Sequence, residues 1–289
     1  MKCNLCRPVF RSYRSILLFI LLYTFAKPSV AQNASTQKLF EQRMALPETG
    51  KIATQMLRMS ESFLGLPYIA SSLEGNPTET LVCKLDGLDC TTLVESALAL
   101  AIAKENHQTY QEYRAELTKI RYRDGEIDGY PSRLHYVLDW MYENQQRGRL
   151  MNITESIGGI PYKKEINFMS NHASLYPALG SAEVWKKIKA QENEINSRKH
   201  FYVPKSNIGK TETLLKNGDI IAFTSSVEGL DCNHMGVITK IGNRAYLLHA
   251  SFTEKKVVLS KVPLAEYAAS VAKHTGIIVA RLTDLKSHE

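Results

Sequence analysis

The chain has 289 residues, 44% of them hydrophobic, with a formal charge of +7 and five cysteines. Five of its Lys and Arg side chains (Lys2, Arg7, Arg11, Arg14 and Lys27) lie in residues 1–31, so the remainder carries only +2. Lys163-Lys164, Lys186-Lys187 and Lys255-Lys256 are scattered pairs with acids close by and no repeated aromatic interleaving, which argues against a nucleic-acid partner and leaves them as solvated surface.

Residues 1–31 read as a signal peptide. Basic residues lead, an apolar run follows over 16–25, and Ser29-Val30-Ala31 offers a small-residue cleavage site before Gln32. The run is short for a bilayer span and no later segment could cross one. The expectation is export to the periplasm or cell envelope, without stable membrane insertion after cleavage. Residues 32–289, which no Gly/Ser- or Pro-rich linker divides, are expected to form a single domain with 108–207 as an inserted segment. Cys83, Cys90 and Cys232 then remain. In an oxidising compartment that odd count leaves at least one thiol over and is compatible with a Cys83–Cys232 bridge beside a free Cys90.

Over 36–64, Leu39, Phe40, Met44, Ile52, Met56, Met59 and Phe63 recur at three and four spacing, which predicts two helices broken near Pro47. A loop punctuated by Gly65 and Pro67 delivers Tyr68 ahead of the next helix. Asp86, Gly87 and Asp89 have turn and cap chemistry, and Leu93, Val94, Ala97 and Leu98 repeat at helical spacing, so that helix starts at Cys90 with Asp89 as its cap. There the unpaired backbone N–H groups and the positive helix end favour a thiolate; the plainer alternative is that Cys90 simply packs. A helix is predicted over 108–119, a loop over 121–130, and another helix from Pro131 or Ser132 that buries Leu134, Val137, Leu138 and Met141. Arg133 in its first turn opposes the helix dipole and so requires an anionic partner. His135 lies off the buried stripe. Residues 152–207 predict a helix over 181–192 and a loop over 200–204.

The last third changes character. Runs rich in Ile, Val and Leu at 219–224, 235–241, 245–251, 256–260 and 275–282 predict an antiparallel sheet, with a helix or irregular crossing over 261–273. The fold class is therefore α+β, with N-terminal helices carrying the cysteine, a C-terminal antiparallel sheet carrying histidines, and a mostly helical insertion. If Gly242-Asn243 is a two-residue turn, Ile241 pairs with Arg244, Gly236 with His249 and His234 with Ser251. His234 and His249 then share a face as diagonal neighbours, about 7 to 8 Å apart between backbones. With Cys90 at the mouth of that face, the set contains a nucleophile (Cys90), a general base (His234) and an orienting group (His249). The Cys90 N–H and the Tyr68 hydroxyl are placed for an oxyanion. A zinc site of Cys90, Cys232, His234 and His249 draws on nearly the same residues but lacks the usual short cysteine spacing, so neither metal nor cofactor is expected.

Gly65-Leu66-Pro67-Tyr68, Asp89-Cys90-Thr91-Thr92-Leu93-Val94, Gly218-Asp219-Ile220-Ile221-Ala222-Phe223, His234-Met235-Gly236-Val237 and Leu248-His249-Ala250 occur in an order that resembles NlpC-type papain-like cell-wall hydrolases. Thr92 stands where that pattern commonly has Gly. This departure, with Leu85-Asp86-Gly87-Leu88-Asp89-Cys90, Ser132-Arg133-Leu134-His135-Tyr136, Tyr202-Val203-Pro204-Lys205 and Glu228-Gly229-Leu230-Asp231, is similar to the branch described as N-acetylmuramoyl-L-alanine amidase-like. The resemblance implies a papain-like fold, Cys90, His234 and His249 as the catalytic set, and Tyr68 on the oxyanion side. Arg133, His135 and Tyr202 fall in motifs of the branch as substrate contacts. It further implies a monomeric enzyme acting on peptidoglycan or muropeptide fragments, cutting the amide between the lactyl group of N-acetylmuramic acid and L-alanine. The alternative cut is the D-glutamate to diaminopimelate bond, and a wall-binding module without turnover is a third reading.

Overall fold

The computed structural model describes residues 28–283; residues 1–27, with most of the expected signal peptide, and residues 284–289 lie outside the described residues. Helices α1 (Pro28–Met44) and α2 (Ile52–Glu61) flank Pro47 as its ring geometry requires. Helix α3 (Cys90–Glu105) starts at Cys90 because the sequence closes a reciprocal cap there. The Asp89 carboxylate accepts the Thr92 N–H at 2.8 Å, and the Thr92 hydroxyl accepts the Asp89 N–H at 2.9 Å. Residues from Thr92 to Ala103 are buried on every side of α3, since α2 and α4 (Tyr110–Arg121) pack against it together with the sheet.

The helix expected from Pro131 or Ser132 begins later, as α5 (Val137–Gln146). Tyr130–Ser132 is a lone 3-10 turn, and Arg133 is extended and bridged to Tyr122, so it never meets a helix dipole. The shift has a distant cause. The Asp231 carboxylate, 93 residues further on and just before β5, accepts the Leu138 N–H at 2.9 Å and caps α5 at that point.

The chain continues through β1 (Leu150–Asn152), β2 (Ile160–Pro161), α6 (Phe168–Asn171), α7 (Ala182–Ser197), β3 (Phe201–Pro204) and α8 (Ile208–Thr211). It then enters β4 (Ile220–Ser225), β5 (Cys232–Ile241), β6 (Arg244–Ser251), β7 (Lys256–Leu259), α9 (Leu264–Ser270) and β8 (His274–Leu282). The sheet order is β2-β3-β8-β4-β5-β6-β7, with β1 also on β8 and every pairing antiparallel. The expected loop over 200–204 is instead β3, recruited by β8 through Val203 opposite Ile277. Alternation splits the strands between two cores. Ile220, Ala222, Met235, Val237 and Leu248 pack with α3, while Ile221, Phe223, Ile238, Leu247 and Val279 pack with Leu264 and Ala268 of α9. No helix among the described residues is long and apolar enough to cross a membrane.

The hairpin has the register its turn residues dictate, from Ile241 opposite Arg244 to Val237 opposite Leu248, with Gly242 at φ +58°. Gly236 follows in β5, where a Cβ would lie 2.6 Å from the Leu248 carbonyl oxygen and 3.1 Å from the His249 Cβ. Gly236→Ala is therefore expected to cost about 1 to 3 kcal/mol and to push His249 away from His234. Thermal melts and turnover read the two effects, and an unchanged melting temperature would contradict the close approach.

Candidate active site

His234 stands opposite Phe223 in the β4–β5 register, so its imidazole projects on the α9 face of the sheet. His249 meets it there. The His234 Nε2 and His249 Nδ1 atoms are 2.7 Å apart with the rings at 86°. That bond leaves Nδ1 of His234 as its uncommitted nitrogen, and a base needs the lone pair on that atom. The productive tautomer thus has Nε2–H of His234 donating to His249. Two residues that the sequence reading passed over complete the enclosure: His274 stacks on Phe223 at 4.3 Å, and Tyr267 of α9 sets an edge against His249 at 5.0 Å. Burial, with repulsion from His249 and His274, holds His234 well below the usual imidazole range. Burial also pushes His249 and His274 down to about 4 each. All three are neutral at pH 7.

Cys90 is half-buried at the first position of α3. Burial pushes its thiol up to about 11, the Asp89 charge adds to this, and hydrogen bonds from the Met235 backbone and Thr91 oppose it. The resting thiolate expected from the helix dipole is therefore not the favoured form, because desolvating the sulfur outweighs the N-terminal field. Between pH 7 and pH 10 the rate of iodoacetamide alkylation is expected to climb about tenfold per pH unit, following the thiolate fraction. A rate already level below pH 8 would mean a thiolate at rest.

The charge of Cys90 contributes to raising the hydroxyls of Tyr68 and Tyr267 to about 12 each, behind burial in both cases. The Tyr267 ring is 6.3 Å from His234 and 5.0 Å from His249, so the phenol that feels the Cys90 charge also packs on the imidazole pair. Tyr68 is held there by β7: its N–H donates to Lys255 O at 2.9 Å, Gly65 N–H to Val257 O at 2.9 Å, and Val257 N–H to Leu66 O at 2.8 Å.

A cavity of about 990 Å³ opens beside this group, lined by Asp89, Thr91 and Asn233, the chain neighbours of Cys90 and His234, and by Tyr130, Arg133 and His135. Arg133 has the anionic partner its sequence context required, but the partner is internal. Its guanidinium pairs with Glu74 at 2.6 Å and Glu79 at 3.7 Å, donates to Leu73 O at 3.0 Å and lies over the Tyr130 ring at 4.8 Å. His135 donates Nε2–H to Tyr130 O at 2.9 Å, and burial, then Arg133, pushes its pKa down to about 3. It is a neutral ring whose Nδ1 offers a lone pair. Tyr130 Oη, Arg133 Nε and Asn233 Oδ1 are buried without a hydrogen-bond partner, and all three belong to residues of this cavity. An unsatisfied buried polar atom costs about 1 to 3 kcal/mol, a defect that a bound ligand can cure.

Tyr202 is the one predicted contact that the fold leaves outside. It lies in β3, separated from β5 by β8 and β4, and packs on Tyr162 with ring centroids 5.0 Å apart. The Cys83–Cys232 bridge is not formed: Cys83 faces the Tyr113 hydroxyl at 3.9 Å, Cys232 is buried beside Asp231, and both are free. Among the described residues no group of three or more His, Cys, Asp or Glu side chains has metal-holding geometry.

A thiol at the start of a capped helix and a hydrogen-bonded imidazole pair, both packed near Tyr267, are parts that acyl transfer can use. The chain belongs to the AmiA-like family, described as N-acetylmuramoyl-L-alanine amidase-like, which matches residues 58–277; it is thus an enzyme of an amidase-like cell-wall hydrolase family. It is similar to an N-acetylmuramoyl-L-alanine amidase from Bacteroides uniformis ATCC 8492, with 39% identity over 81% of this chain and 99% of that one and a TM-score of 0.77. A Bacteroides fragilis protein described provisionally as a xylanase shares 37% identity over 77% of this chain and 99% of that one, with a TM-score of 0.73. A Legionella pneumophila protein at 23% identity, covering 86% of this chain and 94% of that one with a TM-score of 0.64, shares the fold. No curated protein matches.

Proposed function

We propose that this protein is an exported bacterial cell-wall amidase of the papain-like NlpC type, active as a single catalytic domain in the periplasm or cell envelope. It cleaves the amide between the lactyl group of N-acetylmuramic acid and the stem-peptide L-alanine, in peptidoglycan or muropeptide fragments. The observation that carries this reading is the 2.7 Å His234–His249 bond, which leaves one imidazole nitrogen for a thiol set at the start of a capped helix.

Because thiol and imidazole both rest neutral, ionisation accompanies attack. His234 Nδ1 takes the Cys90 proton as sulfur bonds to the lactyl carbonyl carbon. The oxyanion faces the Cys90 N–H at the positive helix end and the Tyr68 hydroxyl, which stays protonated and able to donate. His249 accepts from Nε2–H of His234 and steadies the imidazolium. Collapse breaks the C–N bond, and His234 gives its proton to the departing alanine nitrogen. Water, deprotonated by His234, then attacks the thioester, releasing the lactyl carboxylate and restoring the thiol.

The cleft lined by Tyr130, Arg133 and His135 takes the leaving peptide in this scheme, with Asn233 Oδ1 and His135 Nδ1 accepting its N–H groups. Arg133 reads a stem carboxylate only if that group displaces Glu74. A glycosidase reading, suggested by the xylanase description of one relative, needs two carboxylates flanking a sugar bond, whereas Glu74 and Glu79 are both engaged by Arg133. Incubation with a defined muropeptide and mass analysis tests the proposal. Free muramic acid with an intact stem peptide is the expected result. A dipeptide still joined to the sugar would establish the endopeptidase instead.

A further inference from the structure

The protein's most exposed large aromatic side chain among the described residues is Phe252, 64% exposed in the turn between β6 and β7. Its neighbours give that exposure a meaning. The ring meets Tyr68 in a T-shaped contact with centroids 5.6 Å apart, and Tyr68 is bridged to Leu88, two residues before Cys90, with Ile69 N–H donating to Leu88 O at 3.1 Å and Leu88 N–H to Pro67 O at 3.1 Å. The Lys255 ammonium sits 3.6 Å from the Phe252 ring centre. Lys255 itself has φ +57°, a left-handed conformation that strains a side-chain-bearing residue, and its carbonyl oxygen is held by the Tyr68 N–H. The turn that displays Phe252 is thus fixed to the loop that displays Tyr68. None of Tyr68, Phe252 and Lys255 lines the 990 Å³ cavity, so they form a second neighbourhood of the nucleophile.

The order of bond breaking assigns the two neighbourhoods. The leaving nitrogen must reach His234, whose chain neighbour Asn233 opens into the cavity, so the peptide lies there. The carbonyl oxygen lies between the helix start and Tyr68, and the acyl group continues outward past Tyr68. We infer that Phe252, with Lys255 behind it, is the platform for the sugar ring on the acyl side, the C–H-rich face of the pyranose stacking on the exposed phenyl surface while Lys255 donates to a ring hydroxyl or acetamido oxygen. This rests on the amidase reading, since the endopeptidase cut would put peptide at the same place. Stacking on an aromatic face is non-polar and tolerant of the sugar's other substituents, which suits an exposed rim position.

Binding to the Cys90→Ala protein, measured by calorimetry, tests the assignment with two ligands: N-acetylmuramoyl-tripeptide and the same tripeptide carrying only an N-lactoyl group. The sugar is expected to tighten binding about five- to tenfold in Cys90→Ala. That advantage should fall below about twofold when Phe252→Ala is added and be retained when Phe252→Trp is added instead. An advantage that persists in the Phe252→Ala background, or no sugar advantage at all, overturns the platform. The bond cut by the unmodified enzyme is read separately from product masses, so an error in the amidase reading and an error over Phe252 appear in different measurements. The side chain is exposed, so a thermal melt of each variant should match the parent; a lowered melt would assign Phe252 a packing role instead.

Discussion

His234→Ala is expected to lower kcat/KM by about 10⁴-fold with little change in melting temperature, because in the proposed mechanism it removes the group that both takes the thiol proton and returns it to the leaving nitrogen. The fall should lie in kcat, with KM within a few-fold of the parent. His249 acts through His234 and should give a smaller loss, about 10² to 10³-fold for His249→Ala, because the Nε2–H of His234 then has no acceptor and the ring is free to turn or take the wrong tautomer. His249→Asn places a carbonyl oxygen where Nδ1 stood and should recover a substantial part of the activity. Steady-state kinetics on a defined muropeptide measure all three. Full activity in His249→Ala would remove the orienting role, and full activity in His234→Ala would remove the mechanism.

The largest stability effect is expected deeper in α3. Glu95 and Arg121 form an ion pair at 2.7 Å with both side chains 2% exposed. Arg121→Met leaves the carboxylate buried without a counter-charge and should cost about 3 to 5 kcal/mol, lowering the melting temperature by roughly 6 to 20 °C. Burial already pushes Glu95 upward with Arg121 in place. Once Arg121 is gone its pKa rises further, above the unfolded value. The penalty is therefore full above that raised pKa and shrinks as the pH falls through it, since a neutral carboxyl is cheaper to bury. Glu95→Leu combined with Arg121→Met should regain most of the loss. If the single Arg121→Met variant melts like the parent at neutral pH, the pair is not the buried ion pair that its geometry indicates.

What could be read from the sequence was local. Asp89 and Thr92 lie within one turn of each other, so the start of the Cys90 helix was legible, and Gly242-Asn243 fixed the register that brought His234 beside His249. The rest depended on chain segments that meet only in the fold. Asp231 caps α5 from across the molecule, and Glu74 pairs with Arg133 from 59 positions away; no periodicity signals either. Tyr267 and His274 stand next to the imidazole pair because α9 and β8 close over it, and neither sits in a pattern that marks it. Asn233 was the nearest to being found, as the neighbour of His234, but it is the unpaired residue of a bulge where the register shifts between Phe223 and Thr224, and alternation does not place it. Tyr202 was named from a motif of the family resemblance, which carries no position in space; pairing of β3 with β8 sets it apart from the cleft.

The unusually reluctant thiol of Cys90 bears on survival as well as on turnover. In an oxidising compartment a lone thiolate is prey to disulfide exchange and peroxide, and Cys83 and Cys232 stand too differently placed to shield it by pairing. A sulfur pushed up to about 11 is almost wholly protonated at neutral pH and so reacts slowly with small oxidants. In the proposed mechanism it becomes nucleophilic only when a carbonyl carbon and the His234 nitrogen are both in place. If the protein is exported as proposed, the burial that denies it a standing thiolate also lets an odd cysteine persist in its reduced form between encounters with substrate.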